Sequence, residues 1–201
     1  MINTMDNIFD TLIDSYLLNH VGICENFLDI HLADNLKGNL NKLFDEKKLS
    51  FAKIGKGNTP LLDASIRSDK IFWLDRSHEN TSENTFFDLM DNFVSFLNST
   101  CYTGITSYEF HYALYEKGSF YAKHFDQFQN NSSRQYTMIF YLNSDWKLAD
   151  GGELCVYQNN LSQNISPTNG KCVFFKSSEL EHEVLLNHKP RMSITGWFKV
   201  D

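Results

Sequence analysis

The sequence predicts an α+β fold: a double-stranded β-helix, that is, a cupin-like jelly roll, with supporting N-terminal helices. Two observations lead to this fold. Three amphipathic helical patterns occupy much of residues 1–100, and seven short strand patterns follow one another from residue 108 onward. Turns that contain glycine or asparagine separate these strands. Many short strands after a helical front are typical of a jelly roll, whose mouth can hold a metal ion and a ligand.

The individual elements follow from the periodicity of the apolar residues. The helices are predicted at residues 3–18, 33–47 and 82–97, where apolar residues recur at intervals of three and four. Asp29 or Asp34 can cap the second helix, and Asn80 or Ser82 can cap the third. Strands in the helical half are predicted at residues 22–28 and 66–74. The jelly-roll strands are predicted at residues 108–115, 119–126, 135–143, 153–157, 171–175, 181–186 and 191–199.

The segment of residues 52–62 is predicted to be a flexible loop. It contains Gly55, Gly57 and Pro60, which are typical of irregular backbone. Loops of this kind are either plain connections or lids that close over a site. Both interpretations stay open from the residues alone.

The size fits one domain that spans residues 1–201. We expect residues 1–100 to supply the helical support, the first strands and the loop, and residues 101–201 to form the jelly-roll core. The apolar fraction of 42% and the charged fraction of 21% are ordinary for a globular domain. We expect the protein to act as a monomer.

Charge and hydropathy argue against several classes of partner. The net charge is −7 and the pI is about 5.4, so the chain lacks the basic surface that direct nucleic-acid binding requires. No apolar run approaches the roughly 18 residues of a membrane helix, and the N-terminus lacks the basic region of a signal peptide. The four cysteines show no C-x-x-C spacing and are expected to be reduced thiols. These features predict a cytoplasmic protein without a membrane partner.

The segment around His124 predicts a metal site. In a strand, residues two apart point to the same side, so His124 and Asp126 share a face while Phe125 faces away. His182 on a later strand can complete a set of two imidazoles and one carboxylate. Such a facial triad leaves open positions on iron(II) for oxygen chemistry. The alternative is a surface strand with an ordinary ion pair.

Arg191 predicts a site for an anion. On the last strand it shares a face with Ser193, Thr195 and Trp197, so all four point into the barrel if Arg191 does. A buried arginine needs a partner, and its planar fork suits a carboxylate. No acidic residue alternates with it on that strand. An anionic ligand is one answer, and an ion pair with a distant acidic residue is the other.

Together these motifs resemble the prolyl 4-hydroxylase-like iron(II)/2-oxoglutarate dioxygenases, especially the hypoxia-inducible-factor prolyl hydroxylases and the bacterial relatives that hydroxylate elongation factor Tu. The resemblance covers about residues 66–201, and residues 1–50 match only in general character. Its spacing includes nine residues between His182 and Arg191. The motifs that carry it are Tyr115 with Gly118 and residues 66–73, 121–126, 141–146, 151–154, 182–184 and 191–197.

The resemblance implies a set of cofactor contacts. Iron(II) would be held by His124, Asp126 and His182, with O2 and 2-oxoglutarate as cosubstrates and ascorbate as a supporting reductant. Arg191 would bind the distal carboxylate of 2-oxoglutarate. The other residues implied around the cosubstrate are Tyr141 and Thr195 beside Arg191, Tyr115 beside the metal-bound end, and Ile139 and Leu154 as apolar walls.

The resemblance also implies a prolyl 4-hydroxylase that acts on a protein, with elongation factor Tu as a candidate and oxygen sensing as a possible role. Tyr121, Trp197 and Arg134 would surround the target proline. Asp69 would pair with Arg134, and Arg67 and Asp69 would anchor a lid at residues 52–62. Residues 56–60 and 127–133 differ from the animal enzymes, which leaves the protein substrate open.

Two other functions are compatible with the same motifs. One is a dioxygenase that acts on a free amino acid or another small molecule. The other is a sensor that binds iron or 2-oxoglutarate without turnover. Among the remaining aromatic residues, Trp73, Trp146, Phe174 and Phe175 are expected in the core. The histidines without ligand spacing, His111 among them, are expected to lie outside the site.

Overall fold

The computed structural model describes residues 4–52, 63, 65–127 and 132–201, and only the backbone for residues 4–6. The helices are α1 (Thr4–Asn19), α2 (Ile30–Asp45) and α3 (Thr81–Thr100), and short 3-10 helices lie at Arg76–His78 and Leu148–Asp150. The strands are β1 (Gly22–Cys24), β2 (Ser50–Phe51), β3 (Lys70–Trp73), β4 (Ser107–Tyr115), β5 (Tyr121–His124), β6 (Arg134–Tyr141), β7 (Leu154–Gln158), β8 (Leu161–Ile165), β9 (Cys172–Lys176), β10 (Glu181–Val184) and β11 (Arg191–Lys199).

Within the described residues, the strands form two antiparallel sheets. The larger sheet has the order β1-β9-β6-β11-β4-β3-β2, and the smaller has the order β5-β10-β7-β8. The two sheets share one hydrophobic core, and the helices share another core with the larger sheet. This arrangement is the predicted double-stranded β-helix with supporting helices.

The central strands of the larger sheet are buried on both faces, and β6 shows how. Met138 and Phe140 pack against the helices, whereas Ile139 and Tyr141 point into the space between the sheets. A strand that is covered on both sides needs apolar residues at every position, which explains the unbroken run of residues 138–142. The face between the sheets is therefore the one that can contain a site.

The predicted helices are confirmed, with ends that differ by up to three residues. Asp29 caps α2 by accepting hydrogen bonds from the backbone N–H groups of His31 and Leu32, at 2.9 and 3.3 Å. Asn80 caps α3 in the same way. Among the residues that the structure describes, no helix is long and apolar enough to cross a bilayer.

The strands differ more from the sequence expectation. β11 has the predicted bounds, but β5 ends at His124 and not at residue 126, and β3 begins at Lys70 and not at residue 66. β2 and β8 were not predicted: β2 is two residues long, and four of the five residues of β8 are exposed, so neither has an apolar pattern. The predicted loop at 52–62 lies outside the described residues, except for Ala52, which is buried.

Gly196 in β11 allows close packing at the centre of the larger sheet. A Cβ atom at this position would lie 2.1 Å from Cδ1 of Phe110 and 2.3 Å from the backbone oxygen of Glu109. Both neighbours belong to β4, which pairs with β11 along its whole length. No side chain larger than hydrogen fits there without a shift of the backbone.

We expect Gly196→Ala to lower the free energy of unfolding by at least about 1–3 kcal/mol, because the added methyl group overpacks the sheet. Gly38→Ala is the matched control: Gly38 lies on the exposed side of α2 with nothing within 4 Å of the added Cβ. That change should raise stability by roughly 0.5–1 kcal/mol, since alanine favours helix. Urea denaturation of both variants measures the effects, and equal effects of the two changes would contradict the packing argument.

Candidate active site

The antiparallel pair β5–β10 brings the two predicted imidazole ligands together. His124 lies directly opposite His182 in the strand register. Asp126 lies between them: its Oδ1 is 3.6 Å from Nε2 of His124, and its Oδ2 is 3.5 Å from Nε2 of His182. Potential ligand atoms of all three residues lie within 4.8 Å of one another. The structure thus gathers the predicted triad in one place.

Asp126 is not oriented by strand alternation, which was the expectation from the sequence. Because β5 ends at His124, Asp126 lies in a bend, and strand alternation does not orient it. Instead, the Thr137 hydroxyl of β6 donates a hydrogen bond to Oδ2 of Asp126 at 2.8 Å, and Thr137 also contacts the Ser177 hydroxyl at 2.9 Å. Phe125 is 48% exposed, but it also lines the cavity that contains the triad.

The hydrogen bonds of the two histidines fix which ring nitrogens face the centre. Nδ1 of His124 lies 2.7 Å from the backbone oxygen of Ala122, and Nδ1 of His182 lies 3.1 Å from that of Leu180. A carbonyl oxygen can only accept, so both Nδ1 atoms carry the proton in the neutral rings. Nε2 of each ring then offers its lone pair toward Asp126. Two such nitrogens and one carboxylate are the donor set of an iron(II) facial triad.

The charges of the triad also suit a divalent cation. Burial lowers the pKa of His182 to about 4, although the nearby Asp126 opposes this shift. For Asp126, burial favours the neutral acid, but His182, His124 and the Thr137 hydroxyl outweigh it and hold its pKa below the usual range. At neutral pH the site therefore presents a neutral His182 ring and an ionised carboxylate.

Arg191 is buried in the same space between the sheets, with 1% of its surface exposed. Its Nε donates to the backbone oxygen of Gly152 at 2.9 Å, and its Nη1 donates to the Ser193 hydroxyl at 3.4 Å. The guanidinium lies 4.9 Å from the ring centre of Tyr115 and 5.1 Å from that of Tyr141. No acidic side chain of the described residues lies within 4.0 Å of it, which leaves the anionic ligand as the better of the two predicted partners.

Tyr141 provides a second donor beside Arg191. Its hydroxyl is fully buried and has no hydrogen-bond partner within the described part of the chain. Burial raises the pKa of Tyr141 to about 12, although Arg191 opposes this shift. The hydroxyl therefore keeps its proton and can donate it to an anion held by Arg191.

A cavity of about 330 Å³ connects the triad with Arg191. Most of the residues that were expected around the cosubstrate and the substrate line it. They are Arg67, Tyr115, Tyr121, Arg134, Ile139, Leu154, Thr195 and Trp197. Asp69 does not line the cavity, and Tyr141 is close to it through Arg191. A cavity of this size is large enough for a small molecule.

The prediction of an ion pair between Asp69 and Arg134 is wrong. Both oxygens of Asp69 accept hydrogen bonds from Arg67, at 2.7 and 2.6 Å. Arg134 instead donates to Oε1 of Glu109, at 3.1 and 2.7 Å, and its Cζ lies over the Trp197 ring, 3.4 Å from the ring centre. The reason is topological: β11 lies between β4 and β6, so Glu109 and Arg134 meet across Trp197.

Several residues of the cavity wall were missed, and Trp73 and His111 are the two that had been assigned to other places. Trp73 was expected in the core, but it is 45% exposed and lines the cavity. His111 was expected to lie outside the site, but it also lines the cavity and is only 3% exposed. His111 lies four residues before Tyr115 on β4, so period-two alternation from Tyr115 could have found it. Trp73 lies opposite His111 in the strand register, and only the sheet order places it there.

Comparison with known proteins agrees with an iron(II) site formed by the triad. Residues 110–199 match the 2OG-Fe(II) oxygenase superfamily. The chain is 25% identical over 203 residues to the prolyl hydroxylase EGLN3 of Mus musculus, covering 90% of this chain and 80% of that protein. It is 27% identical over 197 residues to Egl nine homolog 1 of Homo sapiens, covering 90% of this chain and 44% of that protein.

Two solved structures are similar over almost the whole chain. A prolyl-4-hydroxylase from Pseudomonas putida superposes with a TM-score of 0.87 at 28% identity, covering 96% of this chain and 99% of the other. A prolyl hydroxylase from Trichoplax adhaerens, in complex with a peptide fragment of the hypoxia-inducible-factor oxygen degradation domain, gives a TM-score of 0.88 at 23% identity. It covers 98% of this chain and 90% of the other, and at this identity it supports the fold.

The position of Thr137 leads to a prediction on metal affinity. Thr137→Val removes the hydrogen bond that orients Asp126 and should weaken iron(II) binding about 10–100-fold. Asp126→Ala should remove most of the binding. Equilibrium dialysis under anaerobic conditions measures both, with Thr85→Val on the exposed side of α3 as the control. Equal affinities of the Thr137→Val and Thr85→Val proteins would show that the hydroxyl does not position the ligand.

The burial of His111 leads to a prediction on pH dependence. Burial lowers its pKa from 6.5 to about 4, so between these values the unfolded chain binds a proton that the folded protein excludes. Stability therefore falls as the pH falls through this range, by roughly 2–3 kcal/mol from this group. Urea denaturation of metal-free protein at neutral pH and near pH 4.5 should show a smaller loss in His111→Met than in the wild type. An identical loss would contradict the assignment.

Proposed function

Residues 110–199 form a 2OG-Fe(II) oxygenase domain in a chain of the prolyl hydroxylase type, and from this premise we propose that the enzyme hydroxylates a prolyl residue of a protein at the 4-position. Enzymes of this family use iron(II), 2-oxoglutarate and O2. Elongation factor Tu is our first candidate substrate, from the resemblance of the motifs to bacterial prolyl hydroxylases.

The observation that carries the proposal is the buried Arg191, without an acidic partner in the described residues, in the same cavity as the His-Asp-His triad. 2-Oxoglutarate has a carboxylate at each end and a keto group beside one of them. We propose that Arg191 binds the distal carboxylate bidentately, with the Tyr141 hydroxyl as a further donor. The keto acid end would then lie toward His124, Asp126 and His182.

With iron(II), 2-oxoglutarate and O2 bound, such a site couples the decarboxylation of 2-oxoglutarate to succinate and CO2 with the insertion of one oxygen atom into a C–H bond. The protein's own residues hold and shield this chemistry. Tyr121 stacks on the His124 ring at 3.6 Å and Phe175 packs edge-on to His182 at 4.9 Å, so both ligands have fixed orientations. Ile139 and Leu154 supply apolar walls that exclude water from the cosubstrate.

The aromatic rim of the cavity favours a peptide substrate over a small one. Trp73 and Phe125 line the cavity and are about half exposed. The ring centres of Trp73 and Trp197 are 6.2 Å apart. Extended proline-containing segments commonly dock on aromatic-lined grooves. A free amino acid would bury little of this surface.

The proposal is tested by incubating purified elongation factor Tu with the enzyme, iron(II), ascorbate and 2-oxoglutarate under air. We expect the protein to gain the mass of one oxygen atom, and peptide sequencing by mass spectrometry should place it on a proline. Succinate release stimulated by free proline, but not by any prolyl protein or peptide, would instead indicate a small-molecule dioxygenase. Iron and 2-oxoglutarate binding without any stimulated succinate release would indicate a sensor.

The role of Arg191 gives a separate prediction. Arg191→Lys keeps the charge but loses the planar fork, and we expect the affinity for 2-oxoglutarate to fall at least about tenfold. Arg76→Lys is the matched control, since Arg76 lies on the surface and pairs with Asp88 and Asp91. Calorimetric titration of the metal-loaded, oxygen-free protein measures the affinity. An unchanged value in Arg191→Lys and in Arg191→Ala would disprove the assignment.

A further inference from the structure

His111 is a buried polar residue in the wall of the cavity, and neither the metal site nor the cosubstrate site uses it. It lies on β4 between Trp73 of β3 and Thr195 of β11 in the strand registers. Its ring packs edge-on to Trp73 at 5.1 Å and tilted to Trp197 at 5.5 Å. The three rings together form one aromatic wall, which we define as Trp73, His111 and Trp197.

The hydrogen bonding of His111 makes it an acceptor. Its Nδ1 lies 3.0 Å from the backbone oxygen of Tyr112, which can only accept, so Nδ1 carries the proton. Burial lowers the pKa of His111 to about 4, so the ring is neutral near pH 7. Nε2 is therefore left with a lone pair, and no hydrogen bond to it is made by the residues that the structure describes.

His111 lines the cavity, and its Nε2 is not among the fully buried atoms that lack a partner, so water can donate to it before a ligand binds. The cosubstrate cannot supply the donor, because 2-oxoglutarate near neutral pH has only carboxylate and keto oxygens, which accept. O2 carries no hydrogen either. Within the proposed reaction, the molecule that becomes hydroxylated is therefore the ligand that can replace this water as the donor.

We propose that His111 is a specificity-determining residue whose Nε2 accepts a hydrogen bond from a backbone N–H of the substrate peptide beside the target proline. The inference rests on the proposed function and specifies the feature that the site recognises, which is a backbone N–H group of the peptide. A prolyl residue in a chain has no N–H of its own, so the donor belongs to a flanking residue. This contact would fix the register of the peptide along the aromatic wall and would favour a chain over free proline.

The first experiment tests the acceptor without turnover. Nitrogen-15 NMR of the histidine rings is recorded on protein loaded with zinc(II) and 2-oxoglutarate, and His111 is assigned by comparison with His111→Gln. We expect an unprotonated Nε2 near neutral pH, and a shift of its resonance when a peptide that the wild type hydroxylates is added. A ring protonated on Nε2, or an unmoved resonance with peptide bound, would overturn the inference.

The second experiment uses overlapping peptides of elongation factor Tu and compares wild type, His111→Met, His111→Gln and the surface control His31→Met. We expect His111→Met to raise the KM for the peptide about tenfold, while the KM for 2-oxoglutarate stays within about twofold, as for one lost hydrogen bond. His111→Gln retains an acceptor oxygen and should recover part of the affinity. His31→Met should behave as the wild type, since His31 is exposed on α2.

A modified peptide identifies the donor. Replacing the flanking amide with an ester removes its N–H, so the wild type should lose about as much affinity as His111→Met does, and His111→Met should lose little more. Unchanged peptide KM in His111→Met, or an equal rise in the KM for 2-oxoglutarate, would overturn the inference while the proposed function stands. If the wild type hydroxylates no prolyl protein or peptide, the proposed function fails and the inference fails with it.

Discussion

The antiparallel pairing of β5 with β10 is the contact on which the metal site depends, because it sets His124 directly opposite His182. A slip of one residue in this pairing would turn one imidazole to the other face of the smaller sheet. The third ligand needs a further element, since Asp126 lies beyond the end of β5 and is oriented by Thr137 of the larger sheet. The site therefore exists only when both sheets are packed face to face.

Two charged side chains lie in the space between the sheets, where they would destabilise a core that binds no ligand. Arg191 is buried and the Asp126 side chain is only 10% exposed, and no carboxylate of the described residues lies within 4.0 Å of Arg191. Burying an unpaired charge is unfavourable, but a bound cation and a bound anion can compensate it. A ligand that binds only the folded state also stabilises that state. The charges that would destabilise this interior without ligands are thus the same groups that are proposed to bind the metal ion and the cosubstrate.

The two faces of the larger sheet have separate tasks. Phe140 and its neighbours on one face pack against the helices and form the larger hydrophobic core. Tyr141 on the other face lies beside Arg191, and Ile139 lines the cavity. Because the helices cover one face of the central strands, side chains on the other face are held by a closely packed support. This support explains how residues from several strands keep a defined geometry around one cavity.

The sequence by itself determined which face the side chains of a regular strand such as β11 take, and the tertiary structure decided which side chains meet. The phase of β11 placed Arg191, Thr195 and Trp197 on one face because side-chain direction in a strand has a period of two. Alternation alone did not place Asp126, which needed Thr137, nor the partners of Asp69 and Arg134. Trp73 joined the cavity wall because β3 pairs with β4. Except for the pair of Asp69 with Arg67, which is two residues away, such contacts depend on pairing between strands far apart in the chain, and no local pattern of residues encodes them.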